Sequence, residues 1–225
     1  MNALRTDGII LARTNFGEAD RILKVLTPRD GVMSVMAKSV RKEGAKLAGK
    51  IELFAVCDLN LHIGRSSLST LTGAKIKQFF SQILVEYDRL QFGYDVLKSI
   101  NKSVETIAEQ EFYNLLLSTL QSLDDLEIPL SLCQVWFYLH LANILGLGLN
   151  TATDVNGMKL VEGGNYDFDA YDQVFIFNNS GQYTTEHIKF LRVLAQNQLD
   201  VVCKIKGAAV LADDCLAIAL AVAKI

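Results

Sequence analysis

The spacing of apolar residues changes near residue 80, and this change restricts the chain to a strand-rich first part and a helical second part. Before it, Cys57, Leu59, Leu61 and Ile63 alternate with polar residues, which is the period of a strand with one buried face. After it, apolar residues recur every three to four positions, as in amphipathic helices. The sequence therefore predicts an α+β protein.

The segment before residue 80 carries turn residues at intervals that suit a small sheet or barrel. We expect about five strands between residues 5 and 77. A hairpin turn is predicted at 27–31, where Pro28 fixes φ and Gly31 permits a positive φ, and a second turn is predicted at 64–67. A short helical insert is expected around 46–52.

Beyond residue 80 the sequence predicts helices long enough to pack as a bundle. They cover 81–102, 106–125, a segment that follows Pro129 and ends at Gly146, 184–197 and 208–223. The third helix is predicted to place one set of residues on one face: Leu132, Val135, Trp136, Leu139 and Asn143. The segment 147–182 is rich in Gly, Asn and Asp, and we expect a loop-rich insert with an isolated strand or hairpin at Val174–Phe177.

The two parts also carry opposite charge. Residues 1–80 contain 13 Lys and Arg against 7 Asp and Glu, a net charge of +6, whereas residues 81–225 contain 9 against 18, a net charge of −9. A positive region attracts polyanions such as nucleic acids, and a negative region repels them. Because the changes in charge and in apolar spacing coincide, we predict two domains, 1–80 and 81–225, with different partners.

The sequence lacks the residue patterns of common catalytic and metal sites. It contains no zinc-protease, nucleophile-elbow or phosphate-loop motif. Histidines and paired carboxylates are better explained as surface, core or helix-end groups: His62, His140, His187, Glu18 with Asp20, Asp124 with Asp125, and Asp213 with Asp214. We expect Glu18 and Asp20 to pair with neighbouring basic side chains and hold the sheet edge in register.

The cysteines are also uninformative about chemistry, because they are scattered and lack the spacing of a zinc site or redox motif: Cys57, Cys133, Cys203 and Cys215. We expect four reduced thiols that serve as small apolar side chains. The sequence therefore predicts a protein that is not an enzyme and that holds neither a metal nor a cofactor.

The strongest functional feature is a run of positive charge between two predicted strands. It comprises Lys38, Arg41, Lys42, Lys46 and Lys50, and only Glu43 opposes it. Side chains in such a loop can converge on phosphates, and each contact releases condensed counterions. Further cations could extend this DNA-binding surface: Arg13, Arg21, Lys24, Arg65, Lys75 and Lys77. The alternative is a charged loop that is only solvated.

Two aromatic residues, Phe16 and Phe54, could stack on bases. For both, packing in the barrel core is the favoured interpretation, because an aromatic side chain in a small barrel more often fills the interior. A site dominated by phosphate contacts would bind nucleic acid with little sequence preference.

Three segments resemble the RecO family. The segment 8–23, GIILARTNFGEADRIL, resembles the family's opening strand, with Glu18, Asp20 and Arg21 in the usual order. The segment 27–42, TPRDGVMSVMAKSVRK, is similar to the next block, a Thr-Pro turn leading into a basic loop, with Ser39 where the family usually has glycine. The segment 136–150 resembles the family's helix that ends in a Leu-Gly segment.

This resemblance implies an N-terminal OB-fold barrel that binds single- and double-stranded DNA and promotes strand annealing. It also implies cooperation with RecR in loading a RecA-type recombinase onto DNA coated by single-strand-binding protein. Many RecO relatives hold zinc with four cysteines after the Leu-Gly segment, but residues 151–165 contain none. We therefore expect a degenerate insert without zinc, whose shape depends on other packing.

The helical part is the expected docking region for the acidic tail of single-strand-binding protein, on a local basic or apolar pocket. Candidate residues are Lys98, Lys102, Lys189, Arg192, Lys204 and Lys206. The N-terminus lacks a secretory signal, and Asp213 and Asp214 interrupt the longest apolar run, so we expect a bacterial cytoplasmic protein associated with the nucleoid. The alternatives are an OB-fold protein that binds RNA or acts on single-stranded DNA outside recombination, a metal-dependent hydrolase, and a scaffold that contacts only proteins.

Overall fold

The chain forms two compact units, Met1–Asp124 and Asp125–Ile225, in a computed structural model that describes residues 2–64, 67–104 and 110–223. The first unit contains five described strands followed by two helices. The second unit contains helices with a small three-stranded sheet between them. The α+β class predicted from the sequence is therefore confirmed.

The strands of the first unit close into a barrel. They are β1 (Asn2–Phe16), β2 (Asp20–Thr27), β3 (Gly31–Ala37), β4 (Ala55–Ile63) and β5 (Leu68–Phe79). Their order around the barrel is β1-β2-β3-β5-β4. The β3–β5 pairing is parallel, and the other four pairings are antiparallel. This five-stranded barrel is the predicted OB-fold.

The first strand closes the barrel because it is long enough to pair on both sides. The first half of β1 pairs with β4, and its second half pairs with β2. Ile9 belongs to both ladders, opposite Val56 and Leu26, and a bulge lies between Ile10 and Ala12. A bulge increases local twist and bends a strand, which suits a strand that curves around a small barrel.

The barrel core confirms the period-two pattern. Cys57, Leu59 and Leu61 are at most 1% exposed, whereas Asn60 and His62 between and beyond them are exposed. The other core members come from neighbouring strands and loops: Ile10, Leu23, Val25, Val35, Ala37, Val40, Ile51, Ala55 and Leu71. Burying one face of each strand fixes its register, because a slip of one residue would exchange the two faces.

The predicted turn at 27–31 and the short helix fall where the sequence places them. Thr27 ends β2 and Gly31, with φ +62°, begins β3. The Thr27 hydroxyl donates to the carbonyl of Gly31 at 2.9 Å and accepts from the amide of Asp30 at 3.0 Å. A 3-10 helix spans Ala48–Lys50. In the predicted turn at 64–67, residues 65 and 66 lie outside the described residues.

Two helices complete the first unit, namely α1 (Tyr87–Ser103) and α2 (Glu111–Asp124). The helix predicted from residue 81 begins later, because Ser81–Leu84 forms a 3-10 turn first. Gly93 of α1 approaches the ring of Phe54, and a Cβ atom there would lie 2.9 Å from that ring. Strands give way to helices at residue 80, as predicted, but the compact unit continues to Asp124. A domain boundary at residue 80 stays a prediction.

The first helix of the second unit is α3 (Leu130–Ile144), and it is buried on several faces. Leu132, Val135, Trp136 and Leu139 are buried, but so are residues on its other faces, while Asn143 is exposed. Four of the five residues predicted to share one face are therefore buried, but Asn143 is not. Partners on several sides explain the burial of the other faces, since α3 packs on α4 (Thr185–Gln196) and α6 (Ala208–Ala223). A short α5 (Leu199–Val202) lies between them in sequence.

The end of α3 shows why a glycine stands at position 146. Gly146 has φ +73° and donates its amide hydrogen to Asn143 O at 3.0 Å. Leu147 donates to Ala142 O at 2.8 Å. This pair of hydrogen bonds is a Schellman motif, in which glycine adopts a left-handed conformation without a steric penalty. The predicted helix end was thus two residues beyond the observed one.

The insert contains more sheet than predicted. Its strands are β6 (Asn165–Asp169), β7 (Val174–Phe177) and β8 (Tyr183–Thr184), in the order β7-β6-β8. The predicted strand Val174–Phe177 is confirmed, and it forms a hairpin with β6. Tyr166, which is 1% exposed, packs edge-to-face against Phe175 and Phe177. Among the described residues, no helix has the length and apolar composition that crossing a membrane requires.

Candidate nucleic-acid interface

The candidate site is the connection from β3 to β4, residues 38–50, which we call the basic loop. Apolar residues hold its two ends in the barrel core: Val40 is 3% exposed and Ile51, just after the loop, is fully buried. Leu47 packs against the same core. Because the apolar side chains point inward, the charged ones between them project into solvent.

Three hydrogen bonds attach the basic loop to the turn between β1 and β2. The amide of Ser39 donates to Asp20 Oδ1 at 2.7 Å, and the amide of Arg41 donates to the carbonyl of Ala19 at 2.9 Å. The guanidinium of Arg41 also donates to the carbonyl of Gly17 at 3.1 Å. The Asp20 carboxylate therefore positions the loop backbone, whereas the sequence led us to expect it to pair with a basic side chain.

The backbone of the basic loop enters the left-handed region at two positions. Ser39 has φ +56° and Gly44 has φ +71°. For a residue with a Cβ atom this conformation is unfavourable, which is why glycine usually occupies it. The geometry explains the glycine that the RecO resemblance places at position 39, and the hydrogen bond that the Ser39 amide donates to Asp20 fixes the backbone here.

The structure brings the five predicted loop cations together on this connection, and all five are exposed: Lys38, Arg41, Lys42, Lys46 and Lys50. Within residues 2–64, 67–104 and 110–223, none of the four lysine side chains forms an ion pair or a hydrogen bond. Unpaired, exposed ammonium groups are able to contact phosphates without first breaking an internal ion pair.

The predicted barrel arginines have different surroundings. Arg13 Nη1 lies 2.8 Å from Glu52 Oε2 and 3.3 Å from the carbonyl of Ile51, so it braces the end of the basic loop. Arg21 Nε donates to Asn15 Oδ1 at 3.2 Å across the β1–β2 ladder. Arg65 lies outside the described residues. Arg13 and Arg21 thus form hydrogen bonds within the barrel, and their contact with DNA stays a prediction.

A second group of charges on the barrel is internally paired. Arg5 donates to both oxygens of Asp58, with Nη2 at 2.6 Å from Oδ2, and these hydrogen bonds lower the pKa of that carboxyl. Lys77 Nζ lies 2.7 Å from Asp7 Oδ2. Lys75 is exposed and stands opposite Asp58 in the β4–β5 ladder. This surface offers a polyanion less free positive charge than the basic loop does.

The described residues outside the basic loop do not form a cluster of metal-binding side chains. No group of three or more His, Cys, Asp or Glu side chains in the described ranges could hold a metal ion. Burial raises the pKa of the Cys57 thiol to about 11 and that of Cys215 to about 12, so both are protonated at neutral pH. Asp124, one of the paired carboxylates, has a structural contact: it accepts a hydrogen bond from the amide of Gln82 at 2.7 Å.

Of the three histidines, one is exposed and two form hydrogen bonds within the fold. His62 is exposed on β4. His140 Nε2 lies 3.1 Å from the carbonyl of Leu194, and burial lowers its pKa. His187 contacts Thr184 through Nδ1 at 2.9 Å, in a capping box at the start of α4, and Asp214 through Nε2 at 3.2 Å.

The second unit contains a shallow pocket that includes two of the predicted docking cations. It has a volume of about 190 Å³ and is lined by Leu160, Glu162, Thr185, Ile188, Lys189 and Arg192. Lys189 Nζ pairs with Glu162 Oε1 at 2.9 Å, and Arg192 donates to the hydroxyl and carbonyl of Thr151. The other candidates, Lys98, Lys102, Lys204 and Lys206, are exposed and do not line this pocket.

Comparison with known proteins identifies relatives of both parts of the chain. Residues 1–80 match the family model of the N-terminal region of recombination protein O, and residues 103–220 match the model of its C-terminal region. A DNA repair protein RecO of Dehalococcoides mccartyi strain BAV1 is 31% identical over 210 residues, which are 90% of this chain and 82% of that protein.

Two further relatives with the same name match shorter segments. The protein of Dehalococcoides mccartyi strain 195 is 37% identical over 143 residues, 63% of this chain and 56% of that protein. That of Roseiflexus sp. strain RS-1 is 36% identical over 144 residues, 63% of this chain and 50% of that protein. With two family models covering most of its length and an OB-fold barrel at its start, this chain belongs to the RecO family of DNA repair and recombination proteins.

Proposed function

We propose that this chain is a non-catalytic mediator of homologous recombination that binds single- and double-stranded DNA through its basic loop. One observation carries this proposal: Arg41 and four unpaired lysines project from a connection that is fastened to the OB-fold barrel. Family membership supports a role in DNA repair. Because the proposed ligand is DNA, the protein would act in the cytoplasm, at the bacterial nucleoid.

Binding of this kind depends on the phosphates and not on the base sequence. Each lysine that neutralises a phosphate releases a counterion, so the affinity falls as salt rises. For about four contacts with single-stranded DNA, the slope of log K against log salt is about −3, at about −0.7 per contact. Such a site suits a protein that must act on arbitrary DNA.

Annealing requires no bond breaking, which agrees with a site built from cations alone. Two complementary strands repel each other through their phosphates, and neutralising one strand lowers this repulsion. An OB-fold barrel holds a single strand along its surface while leaving bases accessible to a second strand. The protein thereby promotes pairing without a catalytic residue.

Partner proteins dock on the helical part of the chain. The pocket next to α4 combines apolar walls from Leu160 and Ile188 with two cations, Arg192 and Lys189, and a docked acidic group would compete with Glu162 for Lys189. This combination fits an acidic peptide, such as the acidic tail of single-strand-binding protein. Together with RecR, the bound protein then helps to load a recombinase onto DNA coated by single-strand-binding protein.

A salt titration of DNA binding tests this proposal. The full chain is compared with a variant that carries Lys38→Glu, Arg41→Glu, Lys42→Glu and Lys46→Glu, on single-stranded and duplex oligonucleotides of equal length. We expect the wild type to bind both with a steep salt dependence, and the variant to lose binding and most of the slope. Circular dichroism checks that the variant is folded.

The matched control reverses four exposed lysines elsewhere: Lys98→Glu, Lys102→Glu, Lys204→Glu and Lys206→Glu. It has the same net charge change, so equal losses in both variants would show a general charge effect and overturn the assignment to the basic loop. RNA bound in preference to DNA, without annealing, would favour the RNA-binding alternative. Cleavage of labelled DNA with magnesium would favour a hydrolase, and no DNA binding at all would favour a scaffold.

A further inference from the structure

The turn between β1 and β2 exposes an aromatic ring beside the basic loop. Phe16, the last residue of β1, is 52% exposed, whereas Phe54 is 2% exposed and packs against the ring of Tyr94. The structure thus separates the two aromatic candidates that the sequence treated alike. Phe54 fills the interior, and only Phe16 of the two is available to a ligand.

The strand register places Phe16 next to the start of the basic loop. Phe16 is paired directly with Asp20 across the β1–β2 ladder. Side chains of directly paired residues point to the same face of a sheet, with their Cβ atoms about 5 Å apart. Because Asp20 accepts the amide hydrogen of Ser39 at 2.7 Å, this face is the one on which the loop begins. The register therefore places Phe16 near the start of the basic loop.

The turn that follows Phe16 is held in place by Arg41 of the basic loop. Gly17, the next residue, has φ +56°, and its carbonyl accepts from the guanidinium of Arg41. Ala19 accepts from the amide of Arg41. An aromatic ring on an anchored turn loses little conformational freedom when a ligand stacks on it, which favours binding.

We propose that Phe16 is a stacking site for an unpaired nucleobase of single-stranded DNA bound at the basic loop; this rests on the proposed function. The exposed ring accepts any base on its face, because every base has a π surface. Neighbouring lysines hold the adjoining phosphates at the same time. Bases inside a duplex are already stacked on one another, so Phe16 contributes to single-strand binding and not to duplex binding.

The experiment measures the affinity of the full chain for an oligonucleotide of thymidines and for a duplex of equal length, at one salt concentration. Phe16→Ala is expected to weaken single-strand binding roughly 10-fold and to change duplex binding less than about twofold. Phe16→Trp retains a stacking face and is expected to bind single strands as well as the wild type does. Phe16→Leu, which keeps an apolar side chain without a π face, should behave like Phe16→Ala.

The control is Tyr171→Ala, which removes another exposed aromatic ring, 90% exposed in the insert of the second unit, and should bind as the wild type does. A single strand containing 2-aminopurine gives an independent readout, since stacking on Phe16 quenches its fluorescence. Equal losses for single strands and duplex, or no loss in Phe16→Ala and Phe16→Leu, would overturn the inference. If the wild type bound no DNA, the proposed function itself would fail.

Discussion

Asp20 accepts a hydrogen bond from the amide of Ser39 at 2.7 Å, and so joins the second barrel strand to the first left-handed residue of the basic loop. The acid thus acts on the backbone of a cationic loop and not on its side chains. By positioning the loop, Asp20 favours DNA binding. Its negative charge, however, lies close to cations that we propose to bind phosphates, and this charge repels DNA. Substitutions can separate these two effects.

The first prediction compares Asp20→Ala with Asp20→Asn. Both variants remove the same charge, but asparagine keeps an oxygen that can accept the Ser39 amide hydrogen. We therefore expect Asp20→Ala to bind single-stranded DNA about two- to fivefold more weakly than Asp20→Asn, because its loop is less well positioned. Fluorescence anisotropy at one salt concentration gives both affinities. Equal affinities would mean that Asp20 acts through its charge alone.

The second prediction is that Ser39→Gly stabilises the first unit. A non-glycine residue in the left-handed region costs about 1–2 kcal/mol, and a glycine at position 39 removes this cost. Part of the stabilisation is lost again, because glycine has more conformational freedom in the unfolded chain. We expect the free energy of unfolding to rise by about 0.5–1 kcal/mol in urea titrations. Ser34→Gly, at an exposed position within β3, serves as the control and should destabilise by a similar amount. Destabilisation by both would contradict the strain at Ser39.

Local patterns of the barrel could be read from the sequence because each depends on a few adjacent residues. Alternation at Cys57, Leu59 and Leu61 predicts one buried face, and Pro28 with Gly31 predicts a turn. Closure of the barrel could not be predicted from adjacent residues. It depends on a parallel pairing of β3 with β5, such as Val35 opposite Ser69, which joins residues far apart in sequence.

In the candidate site, too, the features that depend on adjacent residues could be predicted, and those that depend on distant residues could not. The cations of the basic loop are visible as a run in the sequence, but their anchoring is not, because it relies on Asp20 and on the carbonyls of Gly17 and Ala19 in another connection. The exposure of Phe16 was missed for the same reason. A usable signal was present: a family glycine at position 39 indicates a positive φ, and hence a backbone that some neighbouring group must hold.

The third prediction concerns the insert, which we expect to hold its shape without zinc. Tyr166 is almost fully buried among Phe175 and Phe177, and its hydroxyl accepts from the amide of Val161 at 2.7 Å. A chelator should therefore leave the melting temperature unchanged. Tyr166→Phe should lower the free energy of unfolding by about 1–2 kcal/mol, because the Val161 amide loses its acceptor. A large shift caused by the chelator would contradict this prediction.

The fourth prediction concerns the packing of Gly181 on Tyr166. A Cβ atom at position 181 would lie 2.4–2.7 Å from backbone atoms of Tyr166, closer than any van der Waals contact. Because the backbone of β6 would have to move, Gly181→Ala should destabilise the insert by about 1–3 kcal/mol. Gly49→Ala is the control, since nothing lies within 4 Å of a Cβ atom there and its φ is −85°. Urea titration of both variants measures the difference.

The last prediction is a pH dependence set by His140. Its Nε2 lies 3.1 Å from the carbonyl of Leu194, which can only accept, so this nitrogen carries the hydrogen in the neutral ring. Burial lowers the pKa of His140 below its usual 6.5. The unfolded chain therefore binds a proton more readily than the folded one, and the free energy of unfolding falls as pH drops from about 6.5 towards the folded pKa.

His140→Gln tests this dependence, because glutamine can donate to Leu194 but does not titrate. We expect the variant to lose less stability than the wild type between pH 7.5 and pH 5.5. Trp136 reports the transition: it is the protein's single tryptophan, it is buried, and its ring lies 4.2 Å from that of His140. His62→Gln, at an exposed position, should retain the wild-type pH dependence. The same slope in His140→Gln as in the wild type would assign the dependence to other groups.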